Sequence, residues 1–484
     1  FCHKPAYSYK KTVAVIPTEQ QLRGLVAGYS NFILQAYDSV NGGFGTGQKF
    51  PQGRTLDFAL ELYEATEDEQ WLRLVQNTLR NQYTKVNELE TNYNLFDPVE
   101  GGFHRYGTRP DWTPPHYEKM LYDNARLLRS YAHLLNITPE DELAREVVEK
   151  TLLFMEANWY DEKGGFYGNS DVHGEDEYYG KAPRPEDKPR VERTKYSDWN
   201  SDAILTYLYL WRTTKNERFK EMAARSLDFF EAEMITDNGA YHYFDEDGVK
   251  GVRGSILDNA NLLLAFVEAY ETMGETGYLD AAKRLADYTL NNLYDWYGGG
   301  FFERNSPDLE LYAPGENIYL SKPLQENGIM SLAMVKLYSI TGNVAYLNAG
   351  IKALGSKIGQ VAGLDMGYHY IKAAQFMLAN NLLAAFSENS QKIFEMETEK
   401  QSNFWINRLI TDDSEVVEEF KATDEGLDRL DAPFALLLPV ALIAGFISFA
   451  SPCTLPILPA YVAYSLKSSK HNIRGMTIAF FAGL

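Results

Sequence analysis

The feature that most constrains the fold of this chain is a recurring glycine mark. Gly-Gly-Phe begins at Gly42, Gly101, Gly164 and Gly299, and looser versions stand at Gly239 (Gly-Ala-Tyr) and Gly367 (Gly-Tyr). The marks lie roughly 60 to 75 residues apart, and a near-fixed period of this kind is the signature of a repeat-built fold. Between the marks the apolar period is helical. One helix is expected over 18–38. Pairs follow over 54–66 with 69–84, 119–135 with 139–159, 198–213 with 216–233, 257–273 with 276–293, and 326–341 with 344–358. A last helix is expected over 371–386. Turns within each pair are short, as at Thr214-Lys215, so paired helices run antiparallel. A chain that begins and ends with half a pair can close on itself. The expected fold is all-α, an (α/α)6 toroid or six-hairpin barrel over 18–390. Its glycine links then share one end of the ring with the N-termini of the inner helices. Free N–H groups and helix dipoles favour anionic or hydroxyl-rich ligands there, so that mouth is the expected site.

The stretch from Gly101 to Ala125, GGFHRYGTRPDWTPPHYEKMLYDNA, concentrates ionisable and aromatic groups in one link. His104 and His116 can take or give a proton near neutral pH. Lys119 and Asp123 are expected one helical turn apart on one face. An acid–amide theme recurs at the inner-helix starts, in Asp123-Asn124, Asn200 with Asp202, Asp258-Asn259 and Glu326-Asn327. Carboxyls converging on an axis can act as acid and base on a sugar, or can cap helices. His369, placed in the sixth link, would supply a second mouth histidine. The catalytic candidates are therefore His104, His116, Asp123, Asp258, Glu326 and His369. Arg105, Tyr106, Trp112, Lys119, Tyr122, Trp199 and Asn200 are candidates for binding substrate, the rings by stacking.

Composition narrows the function. The net charge of −21 argues against nucleic acid, which requires a basic face. No zinc spacing, P-loop or dinucleotide fingerprint is present, and His173 with Glu175 and Asp176 makes only a weak metal-like cluster, so the site is read as working without metal or cofactor. Cys2 and Cys453 stand in unrelated contexts, which implies no disulfide framework. Residues 391–431 read as an acidic linker. From Ala432 to Leu466 almost nothing is charged, and the run is long enough to cross a bilayer. A second apolar run begins at Met476, so 432–484 is expected to hold one to two transmembrane helices. Lys467, Lys470 and Arg474 follow the first run, and positive charge marks the cytoplasmic side. A membrane-anchored chain with an extracytoplasmic toroid is the expectation.

On GGFGTGQKFP, the PHYEKMLYD segment, GGFY at Gly164, Trp199-Asn200, Leu257-Asp258-Asn259-Ala260 and Glu326-Asn327-Gly328, the region 18–390 resembles the thioredoxin-domain-containing, spermatogenesis-associated protein 20 (YyaL-type) family. That resemblance implies a helical toroid like those of N-acylglucosamine 2-epimerases and six-hairpin glycosidases, with a small-molecule, sugar-like ligand. Its N-terminal thioredoxin-like domain would be reduced here to a remnant over 1–17. The loop from Gly168 to Gly180 departs from the family pattern. The tail FASPCTLPILPAYVAY (Phe449 to Tyr464) is similar to the first transmembrane helix of the CcdA/DsbD-type cytochrome c biogenesis family. This implies a redox role for Cys453 and a thioredoxin-like redox partner, although the family's partner cysteine is missing. Two function classes stay open: a sugar epimerase or glycosidase, and a non-catalytic binding or scaffold domain serving a thiol-disulfide membrane system.

Overall fold

The computed structural model describes residues 14–83, 94–171, 178–179, 184–305, 320–360 and 363–400. Among the described residues, helices alternate between an outer and an inner ring. The outer helices are α1 (Glu19–Ala36), α3 (Glu69–Tyr83), α5 (Glu142–Asn158), α7 (Glu217–Phe229), α9 (Thr276–Asn292) and α11 (Val344–Gly355). The inner helices are α2 (Gly53–Thr66), α4 (Leu121–Ile137), α6 (Ser197–Thr214), α8 (Ile256–Met273), α10 (Leu324–Thr341) and α12 (Leu364–Ala379). Each inner helix packs on the next, and α12 packs on α2, so the ring closes. α1 packs on α12, completing the sixth pair from the two chain ends. A short α13 (Leu382–Glu388) follows, and residues 390–400 are helical.

Local chemistry sets the helix ends. Thr18 and Gln21 form a capping box on α1, at 3.2 and 2.8 Å, satisfying two of its free N–H groups. Gly274 and Gly342 end α8 and α10 in the left-handed conformation, which glycine adopts without a Cβ penalty. Asp365 of α12 accepts from the backbone N–H of Thr55 at 2.8 Å and of Arg54 at 3.2 Å. It therefore caps α2 across the seam and ties the last inner helix to the first.

The Gly-Gly-Phe links share one construction. In four of them an aspartate six residues or fewer before the phenylalanine donates its backbone N–H to the second glycine: Asp38 to Gly43, Asp97 to Gly102, Asp161 to Gly165 and Asp295 to Gly300. A lysine then bridges that aspartate's carboxylate and the first glycine's carbonyl. The pairs are Lys49 with Asp38, Lys119 with Asp97, Lys195 with Asp161 and Lys322 with Asp295, at 2.6–2.8 Å. Five residues after three of these lysines stands an asparagine. Its side chain both accepts from and donates to the phenylalanine backbone, at 2.6–3.0 Å, as Asn124 with Phe103, Asn200 with Phe166 and Asn327 with Phe301. Glycine is required at Gly101 and Gly164: both have positive φ, and a Cβ would strike the carbonyl of Lys150 or Arg225 on the outer helix.

Several expectations are corrected. Gly367 and His369 lie inside α12, not in a link, because α12 begins at Leu364 rather than near 371. The mouth also carries short strands. Lys119 sits in one of them (Lys119–Met120), ahead of α4, and not one helical turn from Asp123. Among the described residues no helix is long and apolar enough to cross a membrane. That overturns the expectation of a membrane-anchored chain with an extracytoplasmic toroid. The apolar run 432–466, Cys453, Cys2, most of the acidic linker and the His173 cluster lie outside the described residues.

Candidate functional site

The inner-helix N-termini bring a cluster of acids, a histidine and aromatic rings together. His242 stands on the strand Gly239–Phe244, which leads into α8. Its Nδ1 donates to Asp258 Oδ1 at 2.8 Å. Asp258 is 1 % exposed and its other oxygen accepts from Ser255 Oγ at 2.6 Å. With Nδ1 committed, Nε2 is the ring nitrogen left to act on a ligand. The hydrogen bond to Asp258 raises the His242 pKa, while burial pushes the Asp258 carboxyl up against the lowering effect of His242. Oxygens of Asp198 and Asp258 and a ring nitrogen of His242 lie within 4.8 Å of one another, so these three residues could hold a metal ion. Asp198 Oδ1 is buried without a hydrogen-bond partner among the described residues. Desolvation, and then the charge of Asp258, push its carboxyl to about 7.

An aromatic wall runs beside this cluster. Tyr122 meets Trp199 at 5.2 Å, Trp199 meets Tyr196 at 4.4 Å, and Tyr196 meets His242 at 5.5 Å. Asp123, on α4, is desolvated to a pKa of about 7, Asp365 adding to the effect, and its Oδ2 has no partner. Burial raises Glu326 too. Below this level the axis is closed by charge. Asp202 on α6 pairs with Arg54 of α2 at 2.6 Å and with Arg126 of α4 at 2.8 Å.

A first prediction concerns Asp123. Its folded pKa of about 7 lies above the unfolded value of about 3.9. The folded state therefore holds the proton more tightly, and the stability this contributes below pH 4 is lost as pH rises from about 4 to about 7. Asp123→Asn should stabilise the protein at pH 8 by on the order of 2 kcal/mol and leave it unchanged near pH 4. Equal effects in thermal melts at both pH values would show that the carboxyl is already ionised in the fold.

The structure separates the sequence candidates into three groups. Asp123, Asp258, Glu326, Tyr122 and Trp199 stand at the inner-helix starts. His104, Trp112 and Lys119 are buried in the links themselves, and Asn200 is buried in the first turn of α6 against one. His104 Nδ1 donates to the Tyr117 carbonyl at 2.8 Å, and burial with Lys119 nearby holds the ring neutral, its pKa down to about 3. Trp112 has a positive φ and a fully buried ring whose Nε1 donates to the Asn41 carbonyl at 2.8 Å. These four build the mouth and have no open face to offer a ligand. A third set is half-buried beside it: His116 stacks on Tyr106 at 5.0 Å, and Arg105 pairs with Glu118 at 2.7 Å. His369 is the exception, because it lines a cavity farther down the axis. The sequence places His242 and Asp202 at the mouth without making them site candidates, and it does not single out Asp198, Arg54 or Arg126. Arg126 and Asp202 carried a readable signal, each standing two residues after a link asparagine.

No family model matches the chain. Over 142 residues it is 34% identical to spermatogenesis-associated protein 20 of Homo sapiens and of Rattus norvegicus, a stretch covering 28% of this chain. The chain spans 17% of the length of these curated relatives. Among solved structures it resembles cellobiose 2-epimerase from Bacillus thermoamylovorans, with a TM-score of 0.59 at 12% identity, over 75% of this chain and 99% of that one. Cellobiose 2-epimerase from Spirochaeta thermophila gives 0.57 at 18% identity, over 75% and 98%. A D-mannose isomerase gives 0.58 at 13%, over 75% and 98%. At these identities the likeness is one of fold: a closed helical toroid of the kind found in sugar epimerases and isomerases.

Proposed function

We propose that the toroid is a sugar-acting enzyme that moves protons, an isomerase or epimerase, working at the inner-helix N-termini without a nucleotide. The observation that carries this reading is the His242–Asp258 pair beside Asp198, whose Oδ1 has no hydrogen-bond partner among the described residues. A base oriented by a buried carboxylate, next to an acid titrating near neutrality, is what proton abstraction and return at a carbon centre require. His242 Nε2 takes the proton, and Asp198 or Asp123, held protonated by desolvation, supplies one to the sugar oxygen. Tyr122 and Trp199 offer ring faces to the apolar side of a pyranose, and Glu326 offers a carboxyl to its hydroxyls. Glycoside hydrolysis would need two free carboxyls flanking one bond, a role Asp258 does not offer because both its oxygens are engaged, and it would leave the oriented His242 without a part. The fold shared with sugar epimerases supports the same reading, although fold alone does not assign an activity.

A second reading, a non-catalytic binding domain, draws support from the Arg54–Asp202–Arg126 layer that closes the axis beneath the mouth. Incubation of the protein with mannose, glucose and cellobiose in D2O separates these readings. A C2 epimer carrying deuterium at C2, or a ketose carrying it at C1, read by NMR, is the expected result. Cleavage without exchange would replace the proposal with a hydrolase, and saturable binding with neither would replace it with a binding domain.

A further inference from the structure

At the end of the ring away from the glycine links, the C-terminal halves of the inner helices enclose a cavity of about 400 Å3. That volume falls in the range of small-molecule sites, about 300–1,000 Å3. Apart from His369, none of the sequence candidates lines it. Its inner wall is charged but paired, while Arg212, exposed at the rim, has no salt bridge among the described residues. Lys372 donates to both oxygens of Glu61 at 2.8 and 2.7 Å. Lys336 pairs with Glu268 at 2.8 Å and also with Glu271. Arg129 pairs with Asp57 at 3.0 Å. Between these pairs Leu208, Leu264 and Phe376 provide apolar surface. His369 is 5 % exposed, and its Nδ1 has no hydrogen-bond partner among the described residues. Buried polar atoms are almost always bonded, so an unbonded ring nitrogen on a cavity wall marks a place for a ligand's polar group.

We infer that this cavity is a second binding site, separate from the mouth, for a neutral hydroxyl-rich small molecule such as a sugar or cyclic polyol. The charge pattern selects that class. Among the paired groups of the inner wall an ionic ligand would compete for one member of an existing pair and leave the other buried and uncompensated, which is strongly unfavourable; the one lining cation without such a pair, Arg212, stands out at the rim. A hydroxyl both donates and accepts. It can take the remaining N–H of Lys336 or Lys372 and give its own proton to a carboxylate or to His369 without breaking a pair. The leucines and Phe376 meet the C–H face of a ring. The salt-bridged layer of Asp202 with Arg54 and Arg126 stands between this cavity and the mouth, so the two sites are filled from opposite ends.

The test is calorimetric titration of the full chain with myo-inositol, glucose and cellobiose, and with inorganic phosphate and citrate as anionic probes. At least one neutral probe should bind saturably, and more tightly than either anion. Thr272→Trp and Ala379→Trp fill the cavity from its rim without touching an ion pair, so one reads the site if the other fails to fold. Each folded variant, and His369→Phe, should weaken that binding about tenfold or more. His242→Gln, which removes the proposed base at the mouth, should leave it intact. The inference is overturned if no neutral probe binds, if phosphate or citrate binds tighter than all three, if the rim variants bind like the wild type, or if His242→Gln abolishes binding. Loss of turnover in His242→Gln with binding kept separates this site from the one at the mouth.

Discussion

Replacing Lys119 with methionine should cost about 3–5 kcal/mol of stability, the range for breaking a buried ion pair by removing one partner. Lys119 and Asp97 are both fully buried, 2.7 Å apart. The ammonium also donates to the Gly101 carbonyl at 2.7 Å and lies 4.2 Å from the Phe154 ring centre. Methionine fills the volume but removes the donor to the glycine carbonyl and leaves Asp97 with Arg184 and the backbone N–H groups of Val99 and Glu100. Against the upward push of burial, Lys119 and Arg184 hold Asp97 well below the usual carboxylate range. Its stabilisation is therefore present above the unfolded value of about 3.9 and is lost only as pH falls through the depressed folded value. The surface pair Arg23–Glu19, with side chains about two-thirds exposed, serves as the control, because exposed pairs contribute little. Urea unfolding reads both. A Lys119→Met midpoint equal to that of Arg23→Ala would show that the buried bridge does not hold the link.

The second large effect concerns chemistry. With a sugar that the wild type turns over, His242→Gln should lower kcat by about 10²–10⁴, the usual contribution of a positioned general base. The melting temperature should move by only a few degrees, since the His242 side chain is 28% exposed and Asp258 keeps its bond to Ser255. Asp258→Asn tests the positioning role separately. The His242 pKa is raised by its bond to Asp258, so the acidic limb of the kcat profile lies above the ordinary histidine value of about 6.5. Losing the carboxylate should move that limb to lower pH as well as reduce kcat. Full turnover in His242→Gln would remove the histidine from the mechanism. An unmoved limb in Asp258→Asn would leave Asp258 with no part in setting its pKa.

Much of the architecture was legible because it is local and repeated. Each Gly-Gly-Phe needs two consecutive positive-φ residues and close approach to an outer helix, and only glycine supplies both. The helical period between the marks follows from one buried face per helix, so the hairpins and their order could be read from the chain alone. The sixth mark misled because Gly-Tyr at Gly367 lies within the apolar pattern of α12 and makes no turn. The same fact carried His369 from a link into a helix.

Roles within the mouth were not legible, because side-chain identity does not say which partner a group meets. Lys119 and Asn200 look like ligand-binding residues in the sequence. In the fold Lys119 is consumed by an aspartate 22 residues earlier and Asn200 by the Phe166 backbone 34 residues earlier. Trp112 looks like a stacking platform and is instead a buried wedge between links. His242 gains its significance only when Asp258, 16 residues later, turns back on it. The Arg54–Asp202–Arg126 layer joins three helices, with Arg54 and Asp202 148 residues apart in the chain. The cavity below it likewise draws one or two charges from each of several inner helices. The sequence by itself determined the repeat, the helices and the glycine turns, since each depends on neighbours along the chain. Ring closure alone decided which polar groups hold the links together and which face open space, because it sets distances between residues that no local pattern relates.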